Sequence, residues 1–149
     1  MYEDALDAFA ELRRDDLGML LMGAAAAINR RALAEVAATG HPLVRASHIA
    51  VFAGLEASGT NISTLADRAG VSRQAMAALV KEVEQIGYVT TSPDTVDRRA
   101  VRVELTAEGA QFCRDAAAAS RRLTAKWEAE FGGERLETLR SQLRALAEQ

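Results

Sequence analysis

The chain has little of what would staple it, load it with metal or anchor it in a bilayer. Its one cysteine, Cys113, excludes an intrachain disulfide and a thiolate metal cage, and points to a reducing, cytoplasmic setting. The two histidines, His41 and His48, have no third nitrogen or thiolate nearby, so no metal is expected. Only Pro42 and Pro93 interrupt the backbone, and aromatics are 5% of residues. The longest apolar stretch, Leu17 to Ile28, is too short to span a membrane. The acidic first segment lacks the basic and apolar regions of a signal peptide. There is no nucleophile–base–acid set and no glycine-rich phosphate loop, which argues against an enzyme and against a bound cofactor.

What is present suits one mainly helical domain. The 149 residues are 49% apolar, rich in alanine and poor in β-branched runs. The net charge of −3 argues weakly against a nucleic-acid partner, unless the charges are segregated.

Apolar spacing predicts a helix over Glu3 to Arg13. A second follows over Leu17 to Ala38, capped by Asp15 or Asp16 and buried through Leu20, Leu21, Ala24, Ile28, Leu33 and Val36. A third is expected over Arg45 to Ala57, then a turn over Ser58 to Asn61 and a short helix over Ile62 to Ala69. Ser72 caps the next helix, which runs to about Ile86. The period then changes to that of strands. Tyr88 to Thr91 and Ala100 to Leu105 form a hairpin around a loop containing Pro93. Thr106 opens a long helix reaching towards Phe131, and Glu134 to Ala147 carries a stripe of Leu136, Leu139, Leu143 and Leu146.

The centre of this order has helix-turn-helix logic. Leu65, Ala66 and Ala69 pack inward, Gly70 allows the sharp turn, and Val71 plugs the corner. Ser72 leaves the free N–H groups of the second helix pointing outward, where they favour a phosphate. Arg73, Gln74 and Ala77 occupy its first turns, the part of a recognition helix that meets base edges, and Lys81 follows. Arg73 suits guanine or phosphate, and Gln74 suits adenine. The hairpin adds a wing. Arg99, or Arg98, is placed to enter a minor groove, with Asp97 orienting the guanidinium through a bidentate pair.

The run from Asp97 through Arg99, Val101, Val103, Leu105, Thr106 and Gly109 resembles the wing signature of the MarR family: D-x-R, alternating apolar residues, then L-T-x-x-G. Leu65-Ala66, Val71-Ser72, Leu79-Val80 and Gly87-Tyr88-Val89 fall where that family's pattern expects them. The resemblance implies a winged helix-turn-helix lobe over 43–105, between helices over 1–40 and 106–149 that join two copies into a homodimer. It implies a transcriptional regulator, typically a repressor, reading a palindromic operator in double-stranded DNA. It also implies control by a small aromatic or phenolic effector, for which Asn29, Arg45, His48 and Phe52 are the candidate pocket residues.

Two features depart from that pattern. Ala77 and Ala78 make the recognition helix poor in donors. In residues 61–105 the bases Arg68, Arg73, Lys81, Arg98, Arg99 and Arg102 are balanced by Asp67, Glu82, Glu84, Asp94, Asp97 and Glu104. A winged helix that has lost DNA and serves as a protein-interaction or dimerisation scaffold is therefore the competing expectation. Cys113, beside Phe112 and Ala116, reads as a small buried hydrophobe.

Overall fold

A computed structural model describes residues 2–148; Met1 and Gln149, the ends of the expected domain, lie outside the described residues. The order is α1 (Glu3–Asp15), α2 (Leu17–Ala38), a 3-10 turn (Ala46–His48), α3 (Ile49–Gly54), β1 (Thr60–Asn61), α4 (Ile62–Ala69) and α5 (Arg73–Gln85). Then come β2 (Val89–Pro93), β3 (Val101–Leu105), α6 (Ala107–Phe131) and α7 (Gly133–Ala147). The fold is a winged helix between terminal helices.

Of the two aspartates open as caps, Asp16 caps α2: its Oδ1 accepts the Met19 N–H at 2.9 Å. The bounds of α2 and α4 agree with those expected from spacing. The expected third helix does not. Arg45 is the cap of the 3-10 turn, and the helix stops at Gly54 because Leu55 is extended. The Glu56 N–H then goes to the Thr60 hydroxyl at 3.0 Å, which folds the chain back into β1. That strand occupies the end of the segment expected to be a turn. It makes the sheet three-stranded and antiparallel in the order β1-β3-β2, with Thr60 opposite Val103 and Val89 opposite Leu105. Pro93, expected in the loop, instead ends β2 opposite Val101. It is tolerated there because β2 lies at the sheet edge.

The core sits inside the lobe, around α4 and α5. Val51, Leu65, Met76, Val80, Val83, Val89 and Val103 are fully buried, and Phe112 of α6 closes the set. Of the expected inward row on β3, only Val103 is sealed; Val101 and Leu105 remain over a third exposed. Val71 does not plug the corner either. It is exposed, and its N–H caps the preceding helix through the Ala66 carbonyl at 3.1 Å. The turn is made by Gly70 at φ +65°, left-handed backbone that disfavours a side chain.

Gly109 is fixed by contact instead. A Cβ there would lie 1.9 Å from the Tyr88 carbonyl oxygen. Thr106 caps α6 from its hydroxyl to the Gly109 N–H (3.1 Å), donates to the Gly87 carbonyl, and sends its own N–H to Tyr88. The L-T-x-x-G run is thus the seam between the wing and α6.

The terminal helices are covered on one side only. Val36 is the single fully buried residue of α2, whereas Leu20, Ala24 and Ile28, expected inside, are exposed. No residue of α7 is fully buried, and Leu139, Leu143 and Leu146 line an apolar groove of about 400 Å³ with Leu17 and Leu21. The composition of α2 marks it for burial, but within one chain only its Val36 end meets the lobe.

Candidate nucleic-acid interface

α5 starts where it was expected to start. The Ser72 hydroxyl accepts the Ala75 N–H at 3.1 Å, and the backbone of Ser72 is extended, so the first N–H groups of α5 face outward. Arg73, Gln74 and Lys81 are exposed along the helix. Ala77, expected to face DNA, is half-buried against the core instead. It lies one turn after Arg73 but shares the apolar side with Met76 and Val80.

The wing loop is organised by Asp94, which the sequence marks as one of the lobe's acids. Its Oδ1 accepts the N–H of Val96 at 2.8 Å and of Asp97 at 3.2 Å, while its own N–H pairs with the Ala100 carbonyl. These backbone donors, Val96 first, hold its carboxyl below the usual carboxylate range. Asp97 also serves the backbone. Its Oδ1 accepts the Arg99 N–H at 3.0 Å, and the bidentate pair with a wing guanidinium is not formed. The reason is spacing: an aspartate reaches the N–H two residues on more readily than the end of that residue's side chain.

Between α4, α5 and the wing lies a groove of about 520 Å³, lined by Arg73 and Arg99 together with Asn61, Ser63 and the wing residues Asp94 and Asp97. Arg98 lies on the other side of the loop, against Pro93 and Thr95. The structure therefore brings Arg73 and Arg99 into one groove, while Arg98 meets Arg99 along the other side of the wing.

The balanced charge of the lobe resolves into two populations. Arg68 is paired with Glu56 and donates to the Gly54 carbonyl. Arg102 lies between Asp94 (4.0 Å) and Glu104 (3.4 Å). Arg45 and His48 both meet Glu82. Among the described residues, Arg73, Lys81, Arg98 and Arg99 make no ion pair. Glu56, Glu82, Asp94 and Glu104 thus pair the structural cations, and the four cations of the outer face stay unpaired, as do, among the described residues, the acids Asp67, Glu84 and Asp97.

The four residues expected around an effector are dispersed. Asn29 is exposed on α2. Arg45 and His48 converge on Glu82 of α5, whose carboxyl is lowered chiefly by the His48 hydrogen bond and then by that of Arg45. Phe52 packs on Phe112, ring centres 4.5 Å apart. His41 is buried, with Nδ1 2.7 Å from the Tyr88 hydroxyl and Nε2 3.0 Å from Asp115. Cys113 is half-buried, and burial pushes its thiol up. Among the described residues no group of three or more acids, histidines or cysteines is gathered as for a metal, and no helix is long and apolar enough to cross a membrane.

Residues 55–101, from the end of α3 to the start of β3, match the MarR family. No curated protein matches the sequence. Among solved structures, a MarR-family transcriptional regulator from Rhodococcus sp. RHA1 is 24% identical. It superimposes with a TM-score of 0.73 over 89% of this chain and 93% of its own. CouR from Rhodococcus jostii RHA1, solved bound to p-coumaroyl-CoA, is 24% identical with a TM-score of 0.67, covering 89% and 92%. MarR from E. coli in its apo form is 19% identical with a TM-score of 0.69, covering 87% and 96%. The fold is that of the MarR-family regulators.

Proposed function

We propose that this chain, with a MarR-family winged helix at its centre, is a DNA-binding transcriptional regulator and not an enzyme. The observation that carries the reading is the shared groove of Arg73 and Arg99, with Arg98 beside Arg99 on the wing and Lys81 exposed further along α5, in a lobe whose other cations are paired. Duplex DNA offers phosphates along one strand and a narrow, negative minor groove beside it. A helix start bearing Ser72, Arg73 and Gln74 addresses the major groove, and the wing arginines address the minor groove or its phosphates. Asp97 supports the wing through its backbone.

The active form is a homodimer acting in the cytoplasm, with residues 43–105 as the DNA-reading lobe and 1–40 and 106–149 as the joining helices. Leu6, Phe9 and Leu12 on α1, Leu20 on α2 and Leu143 on α7 are large apolar side chains left exposed by the single chain, the kind of surface that a second copy covers. Two-fold symmetry then gives two recognition helices suited to a palindrome, about 34 Å apart on successive major grooves. Repression follows when that site overlaps a promoter. CouR was solved with p-coumaroyl-CoA; for this chain control by a small aromatic or phenolic effector is proposed, without a pocket formed by the four dispersed residues. It would act by favouring a different separation of the lobes.

The test is a gel shift on the DNA upstream of the protein's own coding sequence, at two salt concentrations, beside an Arg98→Ala/Arg99→Ala variant. Specific, salt-sensitive binding that the variant loses is expected. A folded dimer that selects no specific duplex from genomic fragments would replace this reading with the scaffold.

A further inference from the structure

Two acids stand on the recognition helix where a DNA-facing helix would be expected to avoid them. Residues 82 and 84 are about 200° apart around a helix, so they point to opposite sides of α5. Each is engaged. Glu84 Oε1 accepts both the N–H (2.9 Å) and the hydroxyl (2.8 Å) of Thr91 on β2, at the base of the wing. Glu82 Oε2 reaches the other way, to the segment that joins α2 to α3. It accepts a hydrogen bond from His48 Nε2 at 2.9 Å and another from the Arg45 guanidinium.

The imidazole of His48 is itself fixed. Its Nδ1 accepts the Arg45 backbone N–H at 3.2 Å, which leaves the proton on Nε2, directed at Glu82. His48 is buried, so the ring cannot swing away without breaking the 3-10 turn. α5 is thus braced on one side against the wing and on the other against the end of the α2–α3 connection.

We propose that Glu82 is a positioning residue for DNA recognition: through His48 and Arg45 it sets the placement of α5, and with it Arg73 and Gln74, relative to the wing arginines. The proposal rests on the DNA-binding reading above. It differs from a purely electrostatic role, in which Glu82 is a negative charge that weakens phosphate attraction.

The two roles are separated by substitutions that exchange charge for reach. Glu82→Gln removes the charge but keeps an oxygen at the same distance to accept the His48 Nε2–H. Glu82→Asp keeps the charge and withdraws it by one methylene. Both variants and wild type are titrated by fluorescence anisotropy against a duplex selected by the wild-type protein and against a scrambled duplex. The expected result is that Glu82→Gln binds the selected duplex at least as tightly as wild type. Glu82→Asp is expected to lose about tenfold on it, the scale of one broken hydrogen bond to a charged group, and to bind the scrambled duplex unchanged. Glu82→Asp binding the selected duplex like wild type overturns the proposal. A long-range 1H–15N spectrum of the imidazoles, without DNA, checks the brace independently. His48 is expected as the Nε2–H tautomer in all three proteins, held by the Arg45 N–H on Nδ1, with the Nε2 nitrogen and proton signals displaced only in Glu82→Asp, where the bond to residue 82 is lost. Identical His48 signals in all three proteins also overturn it. If wild type selects no duplex while the spectra behave as expected, it is the DNA-binding reading that fails, and the assignment of Glu82 to DNA recognition falls with it.

Discussion

The Nδ1 atom of His41 lies 2.7 Å from the hydroxyl of Tyr88, inside a core where neither ring is open to solvent. Asp115 on α6 accepts at Nε2, 3.0 Å away, so that nitrogen carries the proton and Nδ1 must accept from the Tyr88 O–H. One imidazole therefore ties three parts of the chain together: the end of α2, the start of the wing and the helix that leaves it. Phe112 packs edge-on against the same ring.

Tyr88→Phe removes a donor and leaves a buried acceptor unsatisfied, which costs about 1–3 kcal/mol. His41→Ala leaves the Tyr88 hydroxyl without its partner and opens a cavity as well, so its loss is the larger of the two. Urea denaturation of both variants checks the order. Equal midpoints for Tyr88→Phe and wild type would show that the hydroxyl does not donate to His41.

Gly109→Ala is expected to be more disruptive than its single methyl suggests. The new Cβ would meet the Tyr88 carbonyl oxygen at 1.9 Å, and the backbone on both sides of that contact is held by Thr106 hydrogen bonds. Overpacking on this scale costs about 3 kcal/mol or more. The same substitution at Gly23, where nothing lies within 4 Å, is the control. It should be neutral or stabilising, because Gly23 lies inside α2.

Much of this architecture is legible in the sequence, and the exceptions share a cause. The starts of α2, α4, α5 and α6 are local: a cap such as Asp16, Ser72 or Thr106 signals through residues three positions away. β1 has only Thr60 and Asn61, and exists because β3 offers a partner more than forty positions on. The 3-10 turn likewise depends on His48 finding Arg45 and Glu82. On the candidate interface, Arg73 and Arg99 could be named singly, but their common groove could not. Nor could the pairing of Arg102 and Arg68, which turns a neutral lobe into one with unspent cations. Asp94 looked like any turn aspartate, and only its two backbone donors mark it as the organiser of the wing.

That role predicts an acid dependence. The carboxyls of Asp94 and Asp115 are both depressed in the folded chain, Asp94 by the Val96 and Asp97 N–H groups and Asp115 chiefly by His41, then Gln111. A depressed folded value means a stabilising contribution that is whole above the ordinary carboxylate pKa of about 4. It is lost as pH falls through the lower folded value. Thermal melts should therefore hold steady from neutrality down to that range and then decline. Asp94→Asn should melt below wild type near neutrality, with a shallower acid decline, so that the two curves converge at the lowest pH. Parallel curves would remove Asp94 from the account.

Cys113 should behave as a protected thiol. Burial raises it above its ordinary range despite the nearby Arg114, so little thiolate forms at mildly alkaline pH. A maleimide or disulfide reagent is expected to label it slowly in the native protein and at once in denaturant. Fast labelling of the folded chain would place the thiol in a reactive environment that the packing beside Phe112 does not supply.

The division between spent and unspent cations makes the last prediction a contrast. Arg73 and Arg99 have no ion partner among the described residues, whereas Arg102 lies between Asp94 and Glu104. If the first two meet DNA phosphates, replacing either with alanine lowers the slope of log K against log salt by about one. Replacing Arg102 frees two acids and loosens the wing, so its variant should melt earlier. It should also weaken DNA binding through the added negative charge, without lowering the slope as the removal of a phosphate contact does. Anisotropy titrations across a salt series, paired with melting curves, separate the two classes. An Arg102→Ala slope reduced as much as that of Arg99→Ala would mean that Arg102 leaves its acids when DNA binds, and that the wing reorganises on the duplex.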